Sequence, residues 1–377
     1  MKKNRIARSI SSIAAMLMLL IACTSPPIPS TNEPTTTPVI ATSVPISTPE
    51  STLTMAAPTP TPELDVEYWL ASQNPIAAVA WSTDEKTVIV SASSGVYMLD
   101  AQTGERIHSF LEGSFLFPVA VDSQGTYLFA GNRVWNMLSG ELLYQLTQQH
   151  IATVTFSPDG RTLAIGDGNM VTLLSASSGE TQRSMGSELG DAQLGLAYQA
   201  DGNLLYTVSS DLKVRSANLL SGQVTQLFSL PEGSCCTLFS PDSKYMVVSL
   251  PEHGAGSKQL WDVNQGTPIV DTGNCDNDVG FSAFSPDSTQ FVVGLCSYDA
   301  QVWDSSTPQM IHKIPSATML TSTLILATQS SPMLVPPEWR SAAFNKDGSK
   351  IAFGNNFGEI LIWDINNDQL LRSIPIP

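Results

Sequence analysis

The stretch FSAFSPDSTQFVVGLCSYDAQVWD, residues 281–304, contains the pattern that decides the fold of this 377-residue chain. A short apolar run, Phe281 to Phe284, is followed by the polar turn Ser285-Pro286-Asp287 and by a second run, Phe291 to Val293. Proline presets the second position of such a turn, and aspartate or glycine tolerates the conformations that follow. A third run ends in the pair Trp303-Asp304. The stretch therefore predicts short antiparallel strands joined by hairpin turns.

The same pattern occurs six more times after residue 65. Its polar turns are Ser82-Thr83-Asp84, Asp122-Ser123-Gln124-Gly125, Ser157-Pro158-Asp159-Gly160, Gln199-Ala200-Asp201-Gly202, Ser240-Pro241-Asp242 and Asn345-Lys346-Asp347-Gly348. The pairs at the position of Trp303-Asp304 are Leu99-Asp100, Trp135-Asn136, Leu174-Ser175, Ala217-Asn218, Trp261-Asp262 and Trp363-Asp364. In most copies a glycine stands four residues after the pair, and a fourth run follows. Seven units of four short strands predict a closed all-β array.

The Trp-Asp pairs, the Ser-Pro-Asp turns and a spacing of about 40 residues resemble those of WD-repeat β-propellers, across residues 65–377. The resemblance implies seven four-stranded antiparallel blades around a channel. It also implies that the residues of the Trp-Asp pairs pack the blades and bind no ligand: Trp261, Asp262, Trp303, Asp304, Trp363 and Asp364. Turn aspartates are present at Asp211 and Asp299, but the family's Gly-His pair is absent, so its hydrogen-bonded tetrads must be truncated or replaced. TolB-like and quinoprotein propellers share some of this turn chemistry and remain alternatives.

Closure of the ring has two candidate strands. Open ends of a propeller would expose edge strands, so one terminal segment must complete the last blade. Leu370 to Ile374 is one candidate for the last outer strand, and Val66 to Leu70 is a competing candidate from the N-terminal side. The sequence leaves this choice open.

An insertion of roughly 20 residues, between Ile314 and Trp339, interrupts the repeat. It contains an apolar, threonine-rich run, Thr318 to Gln329, and ends in a segment rich in proline. By strand order it joins the outer strand of the sixth blade to the inner strand of the seventh, which is the family's top face. We expect it to pack on the propeller as a candidate partner-binding element, with passive decoration as the alternative.

The N-terminus has the pattern of an export signal. Four basic residues in the first eight precede an apolar run, Ile13 to Ala22, which is too short to span a bilayer. The run ends in Leu20-Ile21-Ala22-Cys23, which resembles the lipobox of bacterial lipoproteins. The resemblance implies a signal peptide at residues 1–22 and lipidation of Cys23, hence a cell-membrane anchor facing the extracytoplasmic side. An ordinary signal peptide is the alternative, and one or two membranes remain equally compatible with the sequence.

Residues 23–64 form a predicted tether. Pro, Thr and Ser dominate it from Thr24 onward, as in Pro58-Thr59-Pro60-Thr61-Pro62, and large apolar side chains are scarce. Such a segment cannot bury a core, and its prolines favour extended polyproline II structure. We therefore interpret it as a solvated stalk, whose O-glycosylation is a further hypothesis.

The charge of the chain excludes some partners. The formal net charge is -16, from 18 basic and 34 acidic residues. An acidic surface repels phosphate, so nucleic acid and anionic lipid headgroups are poor partners. Glu188, Asp191 and Glu232 fall in loops that enter blades, which indicates an acidic top face complementary to a basic partner surface.

Four cysteines follow Cys23, and an even number in an exported chain suggests disulfides. The candidates are Cys275, Cys296, Cys235 and Cys236. The blade alignment favours Cys275 with Cys296, while consecutive Cα atoms, about 3.8 Å apart, disfavour a bridge between Cys235 and Cys236. A zinc site or buried thiols are the alternatives, and zinc lacks a nearby histidine.

Oxygen ligands concentrate in the loop that enters the sixth blade. Asp271, Asn274, Asp276 and Asp278 make a weak calcium candidate that resembles the start of an EF-hand loop. Val279 occupies the position that requires glycine in that motif. We therefore favour a solvated acidic loop and predict no metal and no cofactor.

No linear catalytic motif assembles a nucleophile with a base, and the four histidines fall in outer strands or loops of different blades. The sequence is thus typical of a non-enzymatic scaffold that binds a protein partner through its top face and insertion. One alternative is a propeller enzyme acting on an extracellular glycan or peptide, with carboxylates in the channel. Another is an envelope-assembly or sensing component.

Overall fold

The computed structural model describes residues 74–112, 119–148, 151–250, 257–273, 281–294, 299–314, 324–328, 331–335 and 338–376. These residues form 30 strands and one 3-10 turn, Ser187–Leu189. No α-helix occurs in them, and no helix there has the length and apolar character of a membrane span.

Seven four-stranded antiparallel sheets, each made of four consecutive strands, are the blades of a β-propeller, as the sequence predicted. Blade one consists of β1 (Ile76–Trp81), β2 (Thr87–Ala92), β3 (Gly95–Asp100) and β4 (Arg106–Glu112). Blade two consists of β5 (Val119–Val121), β6 (Tyr127–Ala130), β7 (Arg133–Asn136) and β8 (Leu142–Gln145). Blade three consists of β9 (Ile151–Phe156), β10 (Thr162–Asp167), β11 (Met170–Ser175) and β12 (Thr181–Met185). Blades four and five are β13 (Gln193–Tyr198), β14 (Leu204–Ser209), β15 (Lys213–Asn218), β16 (Val224–Ser229); and β17 (Cys235–Phe239), β18 (Tyr245–Leu250), β19 (Ser257–Asp262), β20 (Thr267–Asp271). Blade six is β21 (Ser282–Phe284), β22 (Gln290–Gly294), β23 (Ala300–Asp304) and β24 (Met310–Ile314). A hairpin of β25 (Leu324–Thr328) and β26 (Ser331–Val335) precedes blade seven, which is β27 (Trp339–Phe344), β28 (Lys350–Asn355), β29 (Glu359–Asp364) and β30 (Gln369–Pro375).

The hydrophobic core lies between the blades. The second strand of each blade is buried along most of its length, as at Val88, Ile89 and Val90 of β2, because both of its faces meet a neighbouring blade. Its β-branched residues fit such a pleated, enclosed surface. Outer strands are mostly exposed, as in β16. This gradient explains why apolar runs in the sequence are strongest at second and third strands and weakest at fourth strands.

In six of the seven blades, the side chain of the second member of the Trp-Asp-type pair accepts backbone hydrogen bonds in the turn after the third strand. Asp100 Oδ1 accepts the backbone N–H groups of Gln102, at 2.8 Å, and of Thr103, at 2.6 Å. Gly104 then adopts a φ of +79° and donates its N–H to the Asp100 carbonyl at 2.9 Å. The side chain thereby replaces backbone partners that the turn cannot supply. Asn136, Asn218, Asp262 and Asp304 accept in the same way.

The C-terminal strand completes the last blade. Leu370 to Ile374 lies within β30, which pairs with β29 along the outer edge of blade seven. Val66 to Leu70 lies outside the described residues. The ring therefore closes by packing between blades seven and one, and at this junction Trp81 Nε1 donates a hydrogen bond to the Ala343 carbonyl at 3.0 Å.

All inner strands run in the same direction, so the turns between first and second strands share one face of the ring, here called the bottom face. The opposite, top face carries the connections from each outer strand to the next inner strand. First turns and strand ends of neighbouring blades touch around the bottom face. Hydrogen bonds make these contacts at five of the seven junctions: Thr83 with Gln124, Ser123 with Pro158, Tyr198 with Ser243, Asp242 with Ser288, and Asp347 with Glu85. At the other two junctions, Gly202 and Gly348 lie near Pro158 and Ser285, since a Cβ atom built at these glycines would lie 3.8 Å from Pro158 Cδ and 3.6 Å from Ser285 Cβ.

The insertion contains a β-hairpin that the sequence analysis did not predict. Leu324–Thr328 pairs antiparallel with Ser331–Val335, and the two strands form a sheet of their own. The hairpin follows β24 and precedes β27, so the insertion occupies the predicted connection between blades six and seven.

Candidate interaction surfaces of the propeller

Blade four replaces the family's tetrad with an ion pair. Arg215 Nη2 contacts Asp211 Oδ2, and Arg215 Nη1 donates to Asp211 Oδ1 at 3.0 Å and to Ser209 Oγ at 2.8 Å. Arg215 is 8% exposed. Hydrogen bonds from its guanidinium and from the Ser209 hydroxyl hold the pKa of Asp211 at about 2, although partial burial opposes this shift. The second turn aspartate, Asp299, forms a more exposed ion pair with Lys313 at 2.9 Å.

The three tryptophans of the Trp-Asp pairs lie against neighbouring strands. Trp261 and Trp363 are 5% and 4% exposed, and Trp303 is half-buried. Phe228 of blade four stacks on Trp261 of blade five, with 6.0 Å between the ring centroids. Trp303 Nε1 donates to Gln301 Oε1 at 3.0 Å, whereas the indole N–H groups of the other two have no hydrogen-bond partner in the described part of the chain.

Asp262, Asp304 and Asp364 cap turns on the bottom face rather than joining a tetrad. Asp364 Oδ1 accepts the N–H of Asn367 at 3.0 Å. In this blade Asp368, with a φ of +51°, stands where blades one to five place a glycine. These aspartates therefore have a structural role, as the resemblance implied, but each stabilises only the turn that follows its own third strand.

The predicted lipid, disulfide and metal residues are only partly described. Cys23, Cys275, Cys296, Asn274, Asp276 and Asp278 lie outside the described residues. Cys235 is half-buried and pairs in register with Ser249, and Cys236 is exposed with a φ of +51°. Asp271 ends β20, where its carboxylate lies near the Ser257 hydroxyl. Within the described ranges, no group of three or more potential metal-binding side chains comes together.

The acidic loops of the sequence analysis lie on the top face. Glu188 and Asp191 lie in the connection from β12 to β13, and Glu232 lies in the connection from β16 to β17. The bottom face also carries carboxylates, which the sequence interpretation did not anticipate, and three of them lie within 4.0 Å of the cationic groups of Lys86, Arg161 and Lys244. Each of its seven first turns carries an aspartate: Asp84, Asp122, Asp159, Asp201, Asp242, Asp287 and Asp347.

These bottom-face carboxylates are held by their own turns. The Ser157 hydroxyl donates to Asp159 Oδ1 at 2.6 Å, and the Arg161 N–H donates to the same oxygen at 3.0 Å. These two hydrogen bonds lower the pKa of Asp159 from its ordinary value. In blade four, hydrogen bonds from the Asn203 backbone and side chain lower the pKa of Asp201. Both side chains are therefore ionised at neutral pH.

A cavity of about 640 Å³ lies between blades three and four and opens on the bottom face. Its lining includes the turn residues 157–159 of blade three and 200–202 of blade four. Arg183, on the outer strand of blade three, also lines it and donates a hydrogen bond to the Leu219 carbonyl. Asp159, Asp201 and Arg183 are its charged lining residues, so the carboxylates outnumber the guanidinium.

A second cavity, of about 670 Å³, lies at the bottom-face mouth of the channel. Blades two to six contribute to its walls, and no charged residue lines it. Val121, Val154 and Leu238 supply apolar surface, and the turn prolines, among them Pro158 and Pro241, form part of the rim. Its chemistry suits an apolar group rather than an ion.

Tyr198 lies in the wall that the two cavities share, together with Ser157, Pro158 and Ala200. We call the two adjoining cavities the bottom-face groove. Tyr198 is 5% exposed, and its hydroxyl has no hydrogen-bond partner among the described residues. Burial, and the nearby Asp159 carboxylate, raise the pKa of Tyr198, so the hydroxyl keeps its proton. Sequence reasoning missed this groove because its residues come from blades about 40 positions apart.

The described inner strands carry no aspartate, glutamate or histidine, and Arg340 is their one charged residue. His108 and His312 lie in the outer strands of blades one and six, as predicted, and His150 and His253 lie outside the described residues. Convergent carboxylates, which the enzyme alternative requires in the channel, do not occur in this part of the chain.

Comparisons with known proteins agree with the fold. No protein-family model matches the chain. Apoptotic protease-activating factor 1 of Rattus norvegicus, a WD40-repeat protein, is 24% identical to it over 255 residues, which are 67% of this chain and 18% of that protein. The similarity therefore covers less than a fifth of the relative. Together with the seven blades it supports a WD-repeat propeller, a class that generally binds protein partners.

Proposed function

We propose that this protein is a lipid-anchored, extracytoplasmic propeller that acts as a non-enzymatic scaffold for a protein partner, bound through the top face and the insertion near residues 314–339. The observation that carries the proposal is the closed ring of seven blades, with hydrogen bonds between neighbouring blades on the bottom face at five junctions, combined with similarity to a WD40-repeat protein. A rigid ring holds variable loops in fixed positions, which is the requirement for a binding platform.

The chemistry of the channel supports binding rather than reaction. General acid–base catalysis needs titratable groups within hydrogen-bond reach of a substrate. The described inner strands offer small, apolar and hydroxyl side chains instead, such as Ala78, Thr153 and Ala342. Nothing among these residues favours the enzyme alternative.

The insertion is the candidate recruiting element because it extends one connection of an otherwise regular ring. Its hairpin offers backbone groups at two strand edges, which a partner strand can pair with. In-cell crosslinking of the full chain, followed by affinity capture and mass spectrometry, tests this role against a variant lacking residues 317–337. We expect a specific partner with the wild type and its loss with the deletion. Circular dichroism of both proteins controls for folding, and no specific partner with either form would contradict the scaffold.

Anchoring is tested separately. We expect a fatty-acid analogue fed to cells to label the wild type and to leave Cys23→Ala unlabelled, with the mature chain beginning at Cys23. Labelling that persists in Cys23→Ala, or no labelling of the wild type, would contradict lipidation at Cys23. Neither result would contradict the scaffold function, which the crosslinking experiment tests.

A further inference from the structure

Two turns on the bottom face expose a leucine side chain almost completely. Leu138 in blade two is 96% exposed and Leu220 in blade four is 94% exposed, more than any other large hydrophobic side chain in the described ranges. Each stands two residues after its Trp-Asp-type pair, in the turn between the third and fourth strands. At the same position the other five blades carry polar residues: Gln102, Ser177, Asn264, Ser306 and Asn366. The turn itself therefore does not require leucine.

Both turns hold their leucine in the same local structure. In blade two, the N–H groups of Leu138 and Ser139 donate to Asn136 Oδ1, each at 3.0 Å. The preceding N–H, of Met137, donates to a carbonyl in the first turn of the same blade at 2.9 Å. Blade four repeats all three hydrogen bonds around Leu220. A turn fixed in this way keeps the leucine in water unless another molecule covers it.

The two leucines project from the outer rim of one face, with blade three between them. Neither lines the two cavities of the bottom-face groove. A protein partner would need two pockets at the spacing of the two leucines. The interfacial region of a lipid bilayer accepts apolar side chains wherever they project. Two apolar tips on one face therefore suit a lipid surface.

The charge near the leucines favours zwitterionic over anionic lipid. No charged residue occurs at positions 135–140 or 217–223. Charges of both signs lie beside these turns and closer to the channel, at Glu141, Asp159, Arg161, Glu180, Arg183 and Asp201. Zwitterionic headgroups offer counter-charges of either sign, whereas the net charge of -16 on the chain repels anionic headgroups.

The predicted tether is long enough to allow this contact. Asn74 lies at the top face, where its side chain accepts a hydrogen bond from the Ser93 hydroxyl at 2.8 Å. About 50 residues separate Asn74 from Cys23, and at about 3.1 Å per residue they reach about 155 Å. A globular body of about 300 residues has a radius of gyration of about 19 Å. A lipid on Cys23 can therefore lie in a membrane beneath the bottom face.

We propose that Leu138 and Leu220 insert into the interface of a zwitterionic lipid bilayer, so that the anchored propeller rests on the membrane and turns its top face outward. Insertion removes the apolar surface of both side chains from water. Two leucines alone would bind weakly, but the lipid on Cys23 keeps the propeller at the surface and makes the second contact intramolecular. This inference rests on the proposed anchor and deepens the scaffold proposal, because it presents the insertion to partners.

The test uses the lipidated full chain in phosphatidylcholine vesicles that contain a lipid with a nitroxide near the headgroup. An apolar, environment-sensitive fluorescent amino acid replaces Leu138, Leu220 or, as the matched control, Gln102, which has the same turn position in blade one. We expect the nitroxide to quench the probe at positions 138 and 220 at least twofold more than at position 102. Exchange of half of the phosphatidylcholine for phosphatidylglycerol should reduce this quenching.

A second substitution shows whether the two leucines act together. Leu220→Ser, in the chain with the probe at position 138, should reduce the quenching at least twofold, because one of the two contacts is lost. Leu371→Ser is the control, since Leu371 is 42% exposed but lies in β30 of blade seven. Both variants should keep the melting temperature of the wild type, because exposed side chains contribute little to stability.

Three results would overturn the inference: equal quenching at positions 138 and 102, equal effects of Leu220→Ser and Leu371→Ser, or no quenching at any position. A photoreactive residue at position 138 should crosslink to lipid in cells, and a protein adduct there would assign the leucines to a protein partner instead. Failure of the anchor is a separate result. If the fatty-acid analogue labels the wild type and the probes are not quenched, only this orientation is contradicted.

Discussion

Ile374, on the last strand of the chain, packs against Gly104 in the first blade. A Cβ atom built at Gly104 would lie 3.1 Å from Ile374 Cγ2. The same relationship recurs around the ring, since an outer-strand side chain of one blade covers the turn glycine of the next. The other pairs are His108 with Gly140, Tyr144 with Gly179, Arg183 with Gly222, and Phe228 with Gly266. The junction that closes the ring therefore uses the same contact as four of the six internal junctions.

Truncation of the closing contact should destabilise the ring. Ile374 is 2% exposed and belongs to the cluster that joins blades one and seven. Ile374→Ala should lower the free energy of unfolding by about 2–4 kcal/mol, the usual cost of a cavity in a core. Leu371→Ala on the same strand, where the side chain is 42% exposed, should cost less than about 1 kcal/mol. Thermal unfolding of the full chain measures both, and equal effects would contradict closure by this strand.

The glycines in the turns between third and fourth strands should tolerate alanine less well than a glycine in a turn that no neighbouring side chain covers. Gly179 and Gly168 both have positive φ, +72° and +59°, so alanine at either adds left-handed strain of about 1–2 kcal/mol. A Cβ at Gly179 would lie 2.6 Å from the Tyr144 ring, whereas one at Gly168 meets nothing within 4 Å. Gly179→Ala should therefore lower the melting temperature more than Gly168→Ala.

A double-mutant cycle isolates the steric part of this prediction. Tyr144→Ala should make Gly179→Ala less costly, because the clashing ring is gone. If Gly179→Ala lowers the free energy of unfolding equally in the wild type and in Tyr144→Ala, the contact between Tyr144 and Gly179 is not the cause of the destabilisation.

Stability at low pH should depend on the Asp211–Arg215 pair. The pKa of Asp211 is depressed to about 2 from an ordinary value of 3.8, so its contribution is fully present above pH 4 and is lost as pH falls toward 2. Asp211 is exposed to solvent, which screens the interaction, so the pair should contribute no more than about 1 kcal/mol. Wild type should be more stable than Asp211→Asn at pH 6, and the difference should shrink between pH 4 and pH 2. Chemical denaturation between pH 2 and pH 6 measures this difference in the free energy of unfolding. A difference that is independent of pH would contradict a stabilising role for the ionised Asp211 carboxylate.

The disulfide between Cys275 and Cys296 remains a prediction from the blade alignment. Alkylation of the denatured, unreduced chain should leave these two cysteines unmodified, and reduction should expose both to the reagent. Peptide mass mapping reads out each site. Modification of both cysteines before reduction would rule out the bridge.

Local patterns in the sequence were sufficient to predict the blades. Each polar turn, such as Ser157-Pro158-Asp159-Gly160, lies between a first and a second strand, and each Trp-Asp-type pair ends a third strand. These signals are short-range, because a turn depends on a few adjacent residues. Strand bounds can differ slightly from the sequence interpretation, for example at β21, which begins at Ser282 rather than Phe281.

Features that depend on distant residues were not predictable in this way. Closure by Gln369–Pro375 depends on pairing with β29 and on contacts with blade one. The hairpin between Leu324 and Val335 lacks a glycine or asparagine turn signal. The bottom-face groove depends on Tyr198 lying between two turns from different blades, and the Asp211–Arg215 pair replaces a motif whose usual histidine is missing.

Site-specific photocrosslinking in cells tests the scaffold most directly. A photoreactive residue is placed in the full chain at Glu232 on the top face, at Leu220 on the bottom face beside the groove, or at Leu371 on the rim, all of which are exposed. The account predicts a discrete protein adduct from Glu232 and none from Leu220 or Leu371. No adduct from Glu232, or the same adducts from all three positions, would contradict the claim that this propeller recruits a specific protein partner through its top face.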